Sequence, residues 1–278
     1  MNERKVGDKV KKNKINKIIL IIMSICIILP ILNLIIWCFT ERWAWPDLLP
    51  QTYSLRAINE IFSRKDEMCK LFMSSIILSF IVAILSVIIG LMTARAFVFY
   101  DFKLKKQLYF LTLLPFLIPS TVFAMGIHVI FIKWGLSNSI LGVIIVHLIY
   151  SLPYATRLLM DGTIAVGNKL EEQAKVLGAT SLQAFTKTTL PILSPVILSS
   201  LSMSYIVSFS QYFLTLLIGG GKVKTFAIVM FPYLSGGDRN MASTYSLVFL
   251  GITIIIFSIF QVAVSKINKN ISSDFYGV

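Results

Sequence analysis

The chain has 278 residues, of which 56% are hydrophobic and 14% charged, with a mean hydropathy of +0.80. A soluble fold of this length cannot hide so much apolar surface, so lipid must solvate part of it. The formal net charge of +13 is spread between apolar runs rather than gathered on one polar face, which argues against a nucleic-acid binder and for membrane orientation.

In chain order, a basic tail over residues 1–17 precedes an apolar run, Ile18–Phe39. The run is long enough to cross a bilayer and has no clear small-residue cleavage site, so it reads as a retained first span. Five more segments reach the length of about 20 apolar residues that a spanning helix needs. They are Leu71–Met92, Leu108–Phe131, Ile140–Leu159, Leu190–Ile218 and Ser243–Val264. The third and fifth carry Pro115 and Pro119, and Pro191 and Pro195, which predict tilt or kinks. The membrane domain is expected over 18–267, with a second tail at 268–278. Cys26, Cys38 and Cys69 show no metal-ligand spacing and read as small apolar filler.

Alternating sides span by span, 17 of the 26 bases fall with the two termini and nine fall opposite. That bias predicts both termini in the cytoplasm of an inner-membrane protein. Trp43, Trp45 and Trp134 would then stand at the outer interface as aromatic anchors. The outer loop from Thr40 to Lys70 balances five bases against five acids and reads as solvated chain.

Between spans four and five the sequence runs GNKLEEQAKVLGATSLQAFTKTTLPILSP, from Gly167 to Pro195. Asn168 is placed to cap a short helix, with Glu171 three residues on, and Gly178 stops it after Leu177. Thr180 and Gln183 form a capping-box pair for a second helix, which carries Leu182, Phe185 and Leu190 on one side before Pro191. The expected product is a helical elbow on the inner membrane face, acids outward and apolar residues inward.

This stretch resembles the EAA loop of ABC importer permeases, patterned EAA, three residues, Gly, nine residues, Ile, one residue, Leu-Pro. Glu172, Ala174, Gly178, Leu190 and Pro191 match, while Gln173 and Thr188 depart. Weaker similarity runs from about residue 69 to 266, through LPFLIPS and GGDRNMAS. The chain is thus identified as a member of the binding-protein-dependent permease family, leaning toward its spermidine/putrescine, iron and thiamine group. The resemblance implies an all-α type I permease of six transmembrane helices with a cytoplasmic coupling helix between spans four and five. It assigns ATPase coupling to Glu171, Glu172, Gln173, Ala174, Gly178, Ala179, Leu190 and Pro191. It implies as partners two ATP-binding subunits carrying the ATP and Mg, a second permease subunit, and an extracytoplasmic solute-binding protein, with no catalysis and no cofactor in this chain.

Other classes are weighed by what the residues lack. Gly219-Gly220-Gly221-Lys222 lacks the Ser or Thr of a phosphate loop. An ion-coupled secondary transporter is the alternative, but the six spans contain no Asp or Glu. A membrane enzyme has only His128 and His147 to use, on different spans and without a nearby acid. Span five concentrates polar groups. Ser204, Ser208 and Gln211 share a helical face beside Tyr212 and either line a translocation path or bond between helices.

Overall fold

The computed structural model describes the backbone of residues 2–276 and the side chains of residues 16–267. The two tails expected at 1–17 and 268–278 fall for the most part outside the described side chains. Helix α1 (Asn2–Cys38) leads to a small antiparallel hairpin, β1 (Thr40–Arg42) and β2 (Thr52–Tyr53), and then to α2 (Arg56–Ser63) and α3 (Lys65–Phe99). Next come α4 (Lys105–Leu117), α5 (Ser120–Lys133), α6 (Ile140–Val166), α7 (Lys169–Val176) and α8 (Ser181–Ala184). A π-helical turn over Phe185–Thr189 joins α8 to α9 (Leu190–Phe209), and α10 (Phe213–Gly219), α11 (Phe226–Gly236) and α12 (Arg239–Tyr276) complete the chain.

Among the described residues, five helices are long and apolar enough to cross a membrane: Asn16–Cys38, Lys65–Phe99, Ile140–Val166, Ser181–Phe209 and Arg239–Ile267. The expected third span is not one rod. It is the pair α4 and α5, bent by 112° and counting as a sixth span only if the two are taken together. Pro119 explains the break, because its ring disfavours helical backbone at the residue before it. Ile118 is accordingly extended, at φ −96 and ψ 128. The expected fifth span also divides: α9 stops at Phe209 and α10 starts at Phe213, so Leu190–Ile218 is not continuous. The apolar helix α11, Phe226–Gly236, had no counterpart among the expected spans, being too short for the length criterion.

Two compact units emerge: one is the chain up to Lys65 with Pro232–Leu250, the other Asp66–Phe231 with the chain from Gly251. In the first, Asn240 is the tie. Its side chain is buried, accepts from the Ala57 amide and donates to the carbonyls of Trp37 and Cys38, at 3.2, 3.2 and 2.9 Å. Arg56 bonds both Glu41 and Asp238, which raises its pKa through those two hydrogen bonds, Asp238 contributing most.

The second unit is built around α6. Val143 and Val146 of α6 pack with Leu78 and Val82 of α3, Phe131 of α5, and Leu214 and Ile218 of α10. One step along, Ala155 and Leu159 meet Val87 and Ala94 of α3, with Val196, Ile197 and Leu201 of α9 against them. Small residues let these helices approach, as membrane helices require when lipid competes equally well for apolar contact. At Gly162 the approach is so close that a Cβ would lie 2.8 Å from Val196 Cγ1 and 3.2 Å from Leu193 Cδ2. Gly162→Val is therefore expected to overpack the α6–α9 contact by about 1–3 kcal/mol, seen as a lower melting temperature in detergent. Adding Val196→Ala should recover most of the loss, whereas a general effect on helix insertion would not be relieved.

Candidate functional site

The segment between α6 and α9 folds as the elbow the sequence predicts, with different wiring inside it. Gly178 has φ +91, a left-handed conformation that a Cβ disfavours, and it ends α7 where expected. Thr180 accepts from the Gln183 amide and Gln183 accepts from the Thr180 amide, so the capping box is complete. Asn168 does not cap α7: it sits in helical backbone and donates instead to the Glu172 carboxylate at 2.6 Å.

Glu171 is the main correction. The sequence predicts it among the outward acids, yet it is 5% exposed. Its carboxylate receives both guanidinium nitrogens of Arg95, at 2.7 and 2.9 Å, and the Thr189 hydroxyl at 2.7 Å. Arg95 lies on α3, Glu171 on α7 and Thr189 in the π turn before α9, so one carboxylate joins three segments that are remote in sequence. The guanidinium also faces the rings of Phe99 and Phe185, at 5.3 and 4.6 Å from their centroids. The hydrogen bond from Arg95 holds the Glu171 carboxyl below its usual pKa, burial opposes this, and Thr189 adds to the lowering. Fork-to-fork geometry of this kind fixes orientation as well as charge. Sequence reasoning missed Arg95, because nothing local links it to a glutamate 76 residues away.

What α7 shows outward is mixed. Glu172 and Gln173 are exposed, and Val176 and Leu177 are each 88% exposed. Leu182, expected to face inward, is also exposed. Ala174 and Ala179 are half-buried, Leu190 is half-buried and Pro191 exposed at the start of α9. The elbow therefore presents a bare apolar knuckle flanked by Lys169, Glu172 and Gln173, held from below by the Arg95–Glu171–Thr189 clamp.

The candidate path residues separate. Ser204 and Ser208 are buried, and Ser208 bonds His147 at 2.9 Å, which is interhelical bonding rather than an open wall. Gln211 and Tyr212 are half-exposed in the break between α9 and α10, so they do not continue the Ser204–Ser208 face. His147 brackets that break, meeting Ser208 on one side and Thr215 at 2.8 Å on the other. Thr215 has a single proton and gives it to the Gln211 carbonyl at 2.8 Å, so it accepts from His147 Nε2–H, leaving Nδ1 to accept from Ser208.

Several helices long and apolar enough to cross a membrane, with an exposed and internally clamped elbow between two of them, define a multi-pass membrane protein. The chain belongs to the family described as binding-protein-dependent transport system inner membrane component, whose model matches residues 86–273. It is 26% identical to the probable ABC transporter permease protein PH1036 of Pyrococcus horikoshii, over 68% of this chain and 69% of that one. It is 29% identical to the molybdate/tungstate transport system permease protein WtpB of Pyrococcus abyssi, over 66% and 73%. To the spermidine/putrescine transport system permease protein PotC of Haemophilus influenzae it is 24% identical, over 66% and 72%. Its fold matches that of a chain in the crystal structure of a bacterial ABC transporter that imports alginate, with a TM-score of 0.67 at 15% identity, over 94% of this chain and 99% of that one.

Proposed function

We propose that this chain is the channel-forming subunit of an ATP-driven importer, passing a small solute from an extracytoplasmic binding protein into the cytoplasm. The observation that carries the proposal is the knuckle of Val176 and Leu177, apolar and bare on a helix whose base is locked by a buried ion pair. An exposed apolar tip on a rigid mount is suited to a protein partner, and for a member of this family an ATP-binding subunit is the partner expected. Glu172 and Gln173 at the rim orient the docking, Gly178 forms the bend, and Leu190 and Pro191 carry motion into α9. Closure of two ATP-binding subunits, holding the ATP and Mg, draws on the elbow. The Arg95–Glu171–Thr189 clamp passes the displacement to α3 and α9, shifting the spans between inward-open and outward-open states. A second permease subunit completes the channel, with the elbow and both termini on the cytoplasmic side. Gln211 and Tyr212, at the α9–α10 break, are the residues of this chain that meet the solute. Relatives named for polyamine, sulfate and molybdate/tungstate transport leave the cargo class broad, and polyamine, iron or thiamine-like solutes are the ones the sequence leans toward.

A photo-crosslinking residue at Leu177, in membranes holding the native complex, should yield a covalent product with the ATP-binding subunit. The same probe at Leu216 on α10 should not. A Leu177 probe that captures lipid alone would remove the basis for the proposal.

A further inference from the structure

The turn between α3 and α4 carries a site that neither coupling nor translocation uses. Phe97, Asp101, Lys105, Lys106, Tyr109 and Met160 enclose a cleft of about 360 Å³, within the range of about 300–1,000 Å³ in which small-molecule sites fall. Its floor is apolar. Phe97 is buried, stacks on Phe102 at 5.9 Å and meets Tyr109 edge-on at 5.8 Å. Its rim is basic. Lys105 pairs with Asp101 at 2.9 Å, while no ion pair occupies Lys106 or the adjacent Lys103 among the described residues. Arg157, paired with Asp161, donates to the Tyr109 hydroxyl at 2.9 Å and so stands beside the cleft. Lys105 and Lys106 line it with Asp101, Arg157 reaches its Tyr109 while paired with Asp161, and Lys103 lies in the same turn, so the bases in this neighbourhood outnumber the acids.

Exposed Tyr100, Phe102 and Leu104 alternate with Asp101, Lys103 and Lys105 in the turn after α3, one apolar side chain between charged ones. That pattern places the turn at the membrane surface, with rings in the headgroup layer and ammonium groups reaching outward. From this geometry we infer that the cleft binds the headgroup of an anionic glycerophospholipid, in the leaflet on the elbow's side of the membrane. The lipid phosphate meets Lys106 and Lys103, the glycerol lies on Phe97 and Met160, and the acyl chains leave along α4. A neutral-headgroup lipid fills the same floor without answering the unpaired charge, so selectivity rests on the rim. Because α3 also carries Arg95, lipid held here would steady the end of the helix to which the elbow is clamped.

The test uses the full-length chain in nanodiscs of phosphatidylcholine with and without phosphatidylglycerol, and counts lipids retained in native mass spectrometry. Phosphatidylglycerol should be retained selectively. Lys103→Gln with Lys106→Gln should weaken that retention by about thirtyfold, the factor for two lysines near an anionic surface. Lys133→Gln with Lys222→Gln, elsewhere on the chain, should not. Circular dichroism in phosphatidylcholine discs checks that every variant is folded. Equal retention by the Lys103/Lys106 variant and the unaltered chain would overturn the site. Inorganic phosphate displacing phosphatidylglycerol at equal concentration would show a free-anion site and overturn the lipid assignment.

Discussion

Arg95→Met is expected to destabilise the protein by about 3 kcal/mol, because it leaves the Glu171 carboxylate buried without its partner. Both side chains are well covered, Glu171 at 7% and Arg95 at 24% exposed, so solvent offers little relief. Arg95→Lys should recover only part of the loss, since an ammonium cannot bridge both carboxylate oxygens. Replacing Arg95 and Glu171 together by Met and Leu should cost less than Arg95→Met alone, as the stranded charge is then gone. Thermal melting of these three variants beside the unaltered protein measures all of this.

The same pair gives a pH signature. The Glu171 pKa is lowered in the folded state from an ordinary value of 4.5, so its contribution is complete above that value and is lost as pH falls through the lower folded one. Arg95→Met should therefore flatten the acid side of the stability profile. Equal acid sensitivity in the variant and the unaltered protein would show that the ion pair is not a stabilising contact.

Within the assembled transporter, Gly178→Asp should abolish uptake while leaving membrane insertion intact. Two effects add. Gly178 sits at φ +91, where a side chain is strained by about 1 kcal/mol or more, and a carboxylate is placed beside the knuckle that the proposed docking desolvates. Glu172→Lys, which reverses charge without touching the backbone, should weaken association of the ATP-binding subunit and reduce uptake to a smaller degree. Co-purification of that subunit and ATP-driven uptake into vesicles read the two effects separately. Normal uptake in both variants would overturn the coupling role of the elbow, and uptake driven by an ion gradient without ATP would overturn the ATP-driven reading in favour of ion coupling.

The positions of most helices were legible in the chain itself, because length and apolarity are one-dimensional properties. Ile140–Leu159 lies within α6, and Leu71–Met92 within α3. The elbow was legible for a similar reason: Gly178 and the Thr180–Gln183 box act over three or four residues, so their consequence can be read where they stand. Pro119 signalled a kink, though the size of the bend depends on how α5 packs against α10.

Interactions across long separations were not legible. Glu171 and Glu172 are neighbours of the same type, and no local rule says which turns inward. That is decided by where α3 delivers Arg95. Ser208 looked like a member of a polar stripe until α6 placed His147 against it, and the stripe itself ended at a break that the hydropathy of Leu190–Ile218 does not register.

Taken alone, the sequence determined that this chain lives in a membrane, where most of its long apolar helices lie, and where an elbow interrupts them, because transfer energies and caps act locally. Only the tertiary structure decided which acid is clamped and which is left exposed, where the expected fifth span divides, and which bases stand at the cleft beside Phe97. Those outcomes depend on side chains that meet only after the helices have packed.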